Sequence, residues 1–415
     1  MLYRGSLAAG VLALTLPSVY AAPSAPRHTK SSLLYVTSYE GDLSTLNFTT
    51  STHGASTASL QSAATTTACG KYPSWLTKAG STLYCLDEAW GSNNGSLVSF
   101  GISKDGALTK LSSVGTIGGP VSAVVYGEGG RGLAVADYGG SGFNTYNIAN
   151  PSNIVPVQGD VFVLPHVGVN PARQEAPHPH QAILDPTGKF LFAPDLGSDL
   201  IHIFTFDPVT LKYSPATPLV VAPGSGPRHI TFLTLPGGKT VLYLITELSN
   251  SIVGYNVNYK ADGTLSFDQF YIGGTHGPSE AVPAGAGGGE ILISPDNKFL
   301  TVSSRHEGSL TINNFDKTNS TKIPSDPLIT FAIDQKSGNL TWVQKFAAGG
   351  MTPRHFSFNQ DGTLLAAGLQ DDARVVVISR DPATGVLKEF AAALHVPGMP
   401  NFVIFSDANS KGRSF

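Results

Sequence analysis

Between Pro177 and Phe204, short apolar runs alternate with turn residues. QAIL from Gln181 is followed by the turn signal DPTG, FLFA from Phe190, a second turn DLGSD, and LIHIF from Leu200. Apolar runs bounded by Asp, Pro and Gly in this way read as strand, turn, strand, turn, strand. The middle run recurs seven times, about 50 to 65 residues apart: LLYVTSYEG from Leu33, TLYCLDEAWG from Thr82, GLAVADYGG from Gly132, FLFAPDLGS from Phe190, VLYLITELS from Val241, FLTVSSRHEG from Phe299 and LLAAGLQDD from Leu364. That spacing predicts propeller blades rather than solenoid coils. An alternating third strand follows the copies, as in SLVSF, LIHIF, SIVGY, SLTIN and RVVVI, and fourth strands are expected after Gly106, Gly263, Gly338 and Gly385. A first strand also recurs, near Pro73, Pro120, Pro179, Pro227, Gly289, Pro353 and Pro400. The chain thus opens on a second strand and closes on a first one. A ring explains the offset, because the last strand can complete the blade begun by the first and leave no sheet edge open. The expected fold is all-β, a seven-bladed β-propeller occupying 22–415 as a single domain, with Phe402–Phe405 paired to Leu34–Thr37.

Composition agrees with a turn-rich β protein: 46 Gly and 28 Pro in 415 residues, with only 13% charged. The net charge of −3 and the lack of a Lys/Arg run exclude a nucleic-acid partner. Residues 1–21 read as a secretory signal peptide, with Arg4, the apolar run LAAGVLALTL, and Val19-Tyr20-Ala21 as the cleavage site. That run is too short to span a bilayer, and no later one reaches ~18 apolar residues. The mature chain is expected to start at Ala22, to carry a charge of −4 (−3 less Arg4), and to be secreted. In an oxidising compartment Cys69 and Cys85 are expected to form a disulfide. Asn47, Asn94, Asn319 and Asn339 head N-x-S/T sequons and are expected in turn-like, glycosylated surroundings.

In an antiparallel blade, the start of the first strand and the end of the second share one face. Sorting polar residues by that rule places His178, His180, Arg228, His229, Arg354 and His355 at starts of first strands. Glu88, Asp137, Asp195, Glu247 and Arg305 fall at ends of second strands. All are predicted to ring one mouth of the channel, a setting for binding an anion and moving protons. Asp137 and Asp195 precede Gly-rich turns and are expected to cap them. His229 and His355 alternate away from their arginines and are expected to pack between blades. His178 and His180, two apart on a strand, share a side as metal ligands do, but no acid or Cys lies at ligand spacing. No metal or other cofactor is expected.

At these residues the chain resembles a known family. GPRH (226–229), TELSNSI (246–252), ISPDNKFLTVSSR (293–305), PRHFSFNQDGTLLAAG (353–368) and HxxxxxP (180–186) are similar to motifs of the seven-bladed lactonases. That family includes propeller-type 6-phosphogluconolactonases and fungal carboxy-cis,cis-muconate cyclases, and the similarity covers nearly the whole mature chain. It implies a site at His180, Arg228, Glu247 and Arg305. Thr246 stands where the family usually has Asn, and 278–290 is unusually rich in Gly and Ala.

The function expected is that of a secreted, cofactor-independent lactonase or lactone-forming cyclase acting as a monomer on a small carboxylate or lactone. His180 and Glu247 would be catalytic; Arg228, Arg305, Arg354, Glu88 and His178 would bind substrate. Two alternatives are a non-catalytic secreted propeller that binds a ligand or surface, and a metal-dependent lactonase of the other propeller type.

Overall fold

The computed structural model describes residues 1–2, 29–51, 57–92 and 94–407. After its first two residues, the expected leader lies outside them. Seven antiparallel sheets form the blades of a propeller. Blade 1 holds Thr29–Ser38, Leu43–Ser51, Thr57–Thr66 and, innermost, Pro400–Phe405 from the other end of the chain. Blades 2 to 7 follow in order, starting at Pro73, Pro120, Ile183, Pro227, Gly287 and Pro353. The ring closes in the register expected: Leu34 faces Phe405, Tyr35 faces Ile404, Val36 faces Val403 and Thr37 faces Phe402. Because each blade is covered on both sides, its second strand is largely buried, wholly so in Thr82–Asp87, Gly132–Asp137, Phe190–Asp195, Thr240–Thr246 and Phe299–Arg305, and the cores lie between blades. Tyr243 and Ile245 of blade 5 pack with Ile291 and Val302 of blade 6, and across the closure Val36 and Val403 pack with Val375 and Val377.

One irregularity repeats in every blade and decides what the channel contains. The first strand slips by one residue just after it begins. Pro227 faces Thr246 but His229 faces Ile245, and Pro353 faces Leu369 but His355 faces Gly368. The same slip occurs in the other five blades. Two residues therefore oppose one, a β-bulge, which bends the strand and re-aims its side chains.

Three expectations need correcting. SLTIN is not the third strand of blade 6: Leu310–Asn313 pairs with Lys322–Ser325 as a separate hairpin, and the third strand is Pro327–Ile333. SLTIN alternates between half-buried and exposed because one face meets water, whereas PLITFAI lies between neighbouring blades and is apolar almost throughout. In blade 4 the first strand shrinks to Ile183–Leu184, with an isolated bridge from Pro179 to Asp195. Asn47 sits inside the strand Leu43–Ser51, half-buried, its Oδ1 accepting from Ser31 Oγ at 2.6 Å, while Asn94, Asn319 and Asn339 are exposed.

Cys69 and Cys85 form a disulfide with Cα atoms 6.0 Å apart, tying the entry of blade 2 to its second strand. It closes a loop of 16 residues, worth about 3 kcal/mol in the chain-entropy picture. Spread over the unfolding entropy of a domain this large, replacing both cysteines by serine is expected to lower Tm by about 4 °C, measurable by calorimetry. An unchanged Tm would mean that the unfolded chain gains nothing from the constraint.

Candidate active site

Counted from the start of each second-strand copy, the seventh residue is Tyr39, Glu88, Tyr138, Glu247 or Arg305 in five of the blades. These side chains converge at one mouth of the channel, meeting Arg228 and Arg354 from starts of first strands. At the centre of one cluster is Glu247. Its carboxylate takes Arg228 Nε at 3.0 Å, Arg305 Nη2 at 2.8 Å and Arg173 Nη2 at 2.6 Å. Burial alone would raise the Glu247 pKa, but the guanidinium groups of Arg305, Arg228 and Arg173 outweigh it and hold the carboxyl far below its ordinary range. The guanidinium groups also reach carbonyls, Arg228 Nη1 to Gly289 O at 2.8 Å and Arg305 Nη2 to Gly288 O at 2.9 Å. A Cβ on Gly289 would stand 2.4 Å from Ser303 Oγ and touch Arg305 at 3.4 Å, so any larger residue here would have to displace the serine hydroxyl.

Below this quartet the bulges bring a second layer of side chains into the channel. Because two consecutive residues face inward, His229 and His355 line the same cavity as Arg228 and Arg354, together with His180, Glu290 and Trp75. This overturns the expectation that both histidines alternate away from their arginines. His355 is partly as expected, stacked 3.7 Å from the Phe402 ring, but its Nε2 lies 3.5 Å from Glu290 Oε2. His180 Nδ1 is 3.2 Å from His229 Nε2, and His229 Nδ1 is 2.9 Å from Glu290 Oε1. Burial, followed by the charges of Arg228 and His229, drives the His180 pKa well below the usual histidine value. Burial likewise pushes His355 down to about 4. The cavity measures about 10 Å³, close to the volume one water requires. On the other side of Glu247 a larger pocket of about 530 Å³ opens to the surface between Arg173, Arg305 and the loop at 282–287, of the size that small-molecule sites use.

His180, Arg228, Glu247 and Arg305 are therefore brought together from blades 4, 5 and 6. Arg354 and Glu88 join them across the channel. Arg354 lies 5.5 Å over the Tyr39 ring and its Nη2 is 3.9 Å from Glu88 Oε1; no acceptor lies within hydrogen-bond distance of its guanidinium among the described residues. Glu88 accepts from Tyr39 Oη at 2.8 Å and from Trp90 Nε1, and burial raises its pKa against the pull of Arg354. His178 lines neither cavity. Its ring stacks on Tyr138 at 4.3 Å, with one nitrogen 3.0 Å from Tyr138 O and the other 3.0 Å from Glu175. Asp195 caps its turn, accepting from the backbone of His178, Gly197 and Ser198. Asp137 faces Gly118 N and Asn144, under the mouth rather than in it. No group of three or more His, Cys, Asp or Glu among the described residues is arranged to hold a metal.

The sequence profile of the lactonases with a seven-bladed β-propeller matches residues 33–405. The chain belongs to this lactonase family. Among its relatives, a probable 6-phosphogluconolactonase of Arthroderma benhamiae is 33% identical over 318 residues, 75% of each chain. The 6-phosphogluconolactonase of Bacillus subtilis is 26% identical over 326 residues, 77% of this chain and 83% of its own. A periplasmic gluconolactonase of Pseudomonas aeruginosa superposes with a TM-score of 0.70 at 25% identity, covering 91% of this chain and 99% of the other. Lactone hydrolysis is thus the chemistry against which the lactonase's site is to be read.

Sequence reasoning missed Tyr39, Tyr138, Arg173 and Glu290. The two tyrosines had a readable signal, since they hold the same repeat position as Glu88, Glu247 and Arg305. Glu290 had one too: it stands in its blade where His229 and His355 stand in theirs. Arg173 had none. It comes from the connection between blades 3 and 4, which belongs to no repeat and is held by buried Gln174, whose Nε2 donates to Leu196 O at 3.0 Å.

Proposed function

We propose that the chain is a secreted hydrolase of a lactone bearing an anionic group, such as the lactone of a phosphorylated or carboxylated sugar acid. The observation that carries this reading is a water-sized cavity lined both by His180, whose burial disfavours the protonated form, and by Arg354, whose guanidinium has no acceptor within hydrogen-bond distance among the described residues. Four guanidinium groups at the mouth stand against the carboxylates of Glu247, Glu88 and, one layer below, Glu290, with Glu88 biased by burial toward its neutral form. The surplus is positive and would draw and hold an anion.

In this mechanism His180 Nε2 removes a proton from water as the oxygen attacks the lactone carbonyl carbon. The carbonyl electron pair moves onto oxygen, where a neighbouring guanidinium stabilises it. The intermediate collapses, the ring C–O bond breaks, and the leaving alkoxide takes the proton back from His180. The product is a hydroxy acid, whose carboxyl group then releases its proton to solvent, and no cofactor is consumed. Glu247, ionised and spent on three arginines, orders the cations rather than shuttling protons.

A cyclase that closes a muconate-type carboxylate onto its alkene would use the same groups in another order. It needs a protonated donor at rest, and the depressed basicity of His180 favours hydrolysis. Secretion is supported by the leader-like N-terminus, the disulfide, three exposed sequons and the periplasmic setting of one structural neighbour.

A panel of neutral and anionic lactones, followed by acid release at constant pH, tests the reading. Turnover is expected to favour the anionic members. Arg354→Ala is expected to raise KM for these at least about tenfold, the loss of one charge-assisted contact, and to leave neutral lactones nearly unaffected. Turnover of muconate-type substrates alone would support the cyclase. No turnover of any member would leave the propeller as a binding protein.

A further inference from the structure

We propose that Glu290 and His229 are positioning residues that act through His180, fixing its tautomer so that Nε2 presents a lone pair to the water-sized cavity it shares with Arg228 and Arg354. The inference rests on the hydrolytic reading above for its purpose, but not for its geometry. Glu290, His229 and His180 form a buried line across blades 6, 5 and 4, each at most 5% exposed. Glu290 Oε1 already accepts the backbone N–H of Ile291 at 3.0 Å, and it lies 2.9 Å from His229 Nδ1. A carboxylate oxygen in that role accepts, so His229 Nδ1 must carry the proton. In neutral His229 that leaves Nε2 bare. His229 Nε2 is 3.2 Å from His180 Nδ1, which must then donate. In neutral His180 the remaining nitrogen, Nε2, holds the lone pair. One carboxylate at the far end thus sets the base at the near end, through two rings.

The surroundings hold this line in place. Trp75 meets both His229 and His355 edge-on, at 5.8 and 5.6 Å. The His180 backbone N–H is fixed on Pro194 O at 2.8 Å, and Tyr138 packs edge-on against its ring at 5.3 Å. Glu290 is held ionised at a pKa of about 2: burial opposes this, but His229, His355 and Arg228 outweigh it. When His180 takes a proton during turnover, the positive charge faces Arg228 and Arg354, and the bond through His229 links it to the Glu290 carboxylate. Glu290 therefore has a second effect, stabilising the histidinium that forms.

Two measurements test this, one of which needs no substrate. In protein labelled with 15N at histidine, with His180 assigned through His180→Gln, the ring is expected to show a protonated Nδ1 and a bare Nε2. The opposite tautomer would overturn the proposal, and this readout stands even if no lactone is ever turned over. Glu290→Gln keeps the shape but can donate as well as accept, so the line can reverse and place a proton on His180 Nε2. With an active lactone, kcat is expected to fall on the order of 10²–10⁴-fold, as for other base-orienting carboxylates, with KM little changed. The acid limb of kcat/KM should move to lower pH, because the histidinium loses its stabilising anion. Glu290→Asp should recover part of the rate. A Glu290→Gln variant with wild-type kcat and pH profile would overturn the proposal; if that variant does not fold, the tautomer of the wild-type ring decides.

Discussion

Glu247→Ala is expected to be the most damaging single substitution at the mouth, abolishing measurable turnover and lowering the unfolding free energy by about 3–5 kcal/mol. The reason is charge left without a partner. Arg228 and Arg305 are 2% and 5% exposed, and both depend on the Glu247 carboxylate at 3.0 Å or less. Their carbonyl contacts at 2.8 and 2.9 Å satisfy some N–H groups but do not neutralise either cation. Arg173 is better placed to escape, since its side chain is 41% exposed. Without the carboxylate, the two buried guanidinium groups repel each other with no anion between them. Urea unfolding of Glu247→Ala and Glu247→Gln, with kinetics on the same preparations, checks this. A control separates stability from chemistry: adding Arg228→Met to Glu247→Ala should restore part of the stability by removing an orphaned charge, but no activity. Wild-type stability in Glu247→Ala would mean that the arginines balance their charge elsewhere.

His180→Ala is expected to act in the opposite way, on rate rather than stability. Loss of the general base should lower kcat by about 10²–10⁴-fold, while the arginines that hold the substrate anion stay in place and KM changes little. The wild-type pH profile carries a second expectation. A base works when unprotonated, so kcat/KM falls as pH drops through its pKa. Burial, with Arg228 and His229 beside it, depresses that pKa, so the acid limb should lie below the ~6.5 of an ordinary histidine. A limb at or above that value, or a His180→Ala enzyme with near-normal kcat, would move the proton transfer to another group.

The repeat of apolar runs and turns determined the propeller by itself. Seven second strands offset from seven first strands admit one closure, and the register from Leu34–Phe405 to Thr37–Phe402 follows from it. The local pattern suffices because each strand's period of two is written in its own residues and each blade repeats the same signal. Mouth placement of Glu88, Arg228, Glu247, Arg305 and Arg354 was legible for the same reason: strand ends alternate between two faces of the disc.

Tertiary structure decided the rest. A bulge in the first strand cannot be read from PRHITF alone, because it is a mismatch between two strands, yet it turns His229 and His355 into the channel. The hairpin at Leu310–Asn313 mimics a third strand because alternation records exposure of one face, not the identity of the neighbour. Arg173 reaches Glu247 across 74 positions of sequence through a connection outside the repeat. That three cations are spent on one internal carboxylate while Arg354 meets Glu88 only at 3.9 Å depends on distances between blades. Strand patterning is a local property of the chain, whereas a buried charge finds its partner only once the ring has closed around it.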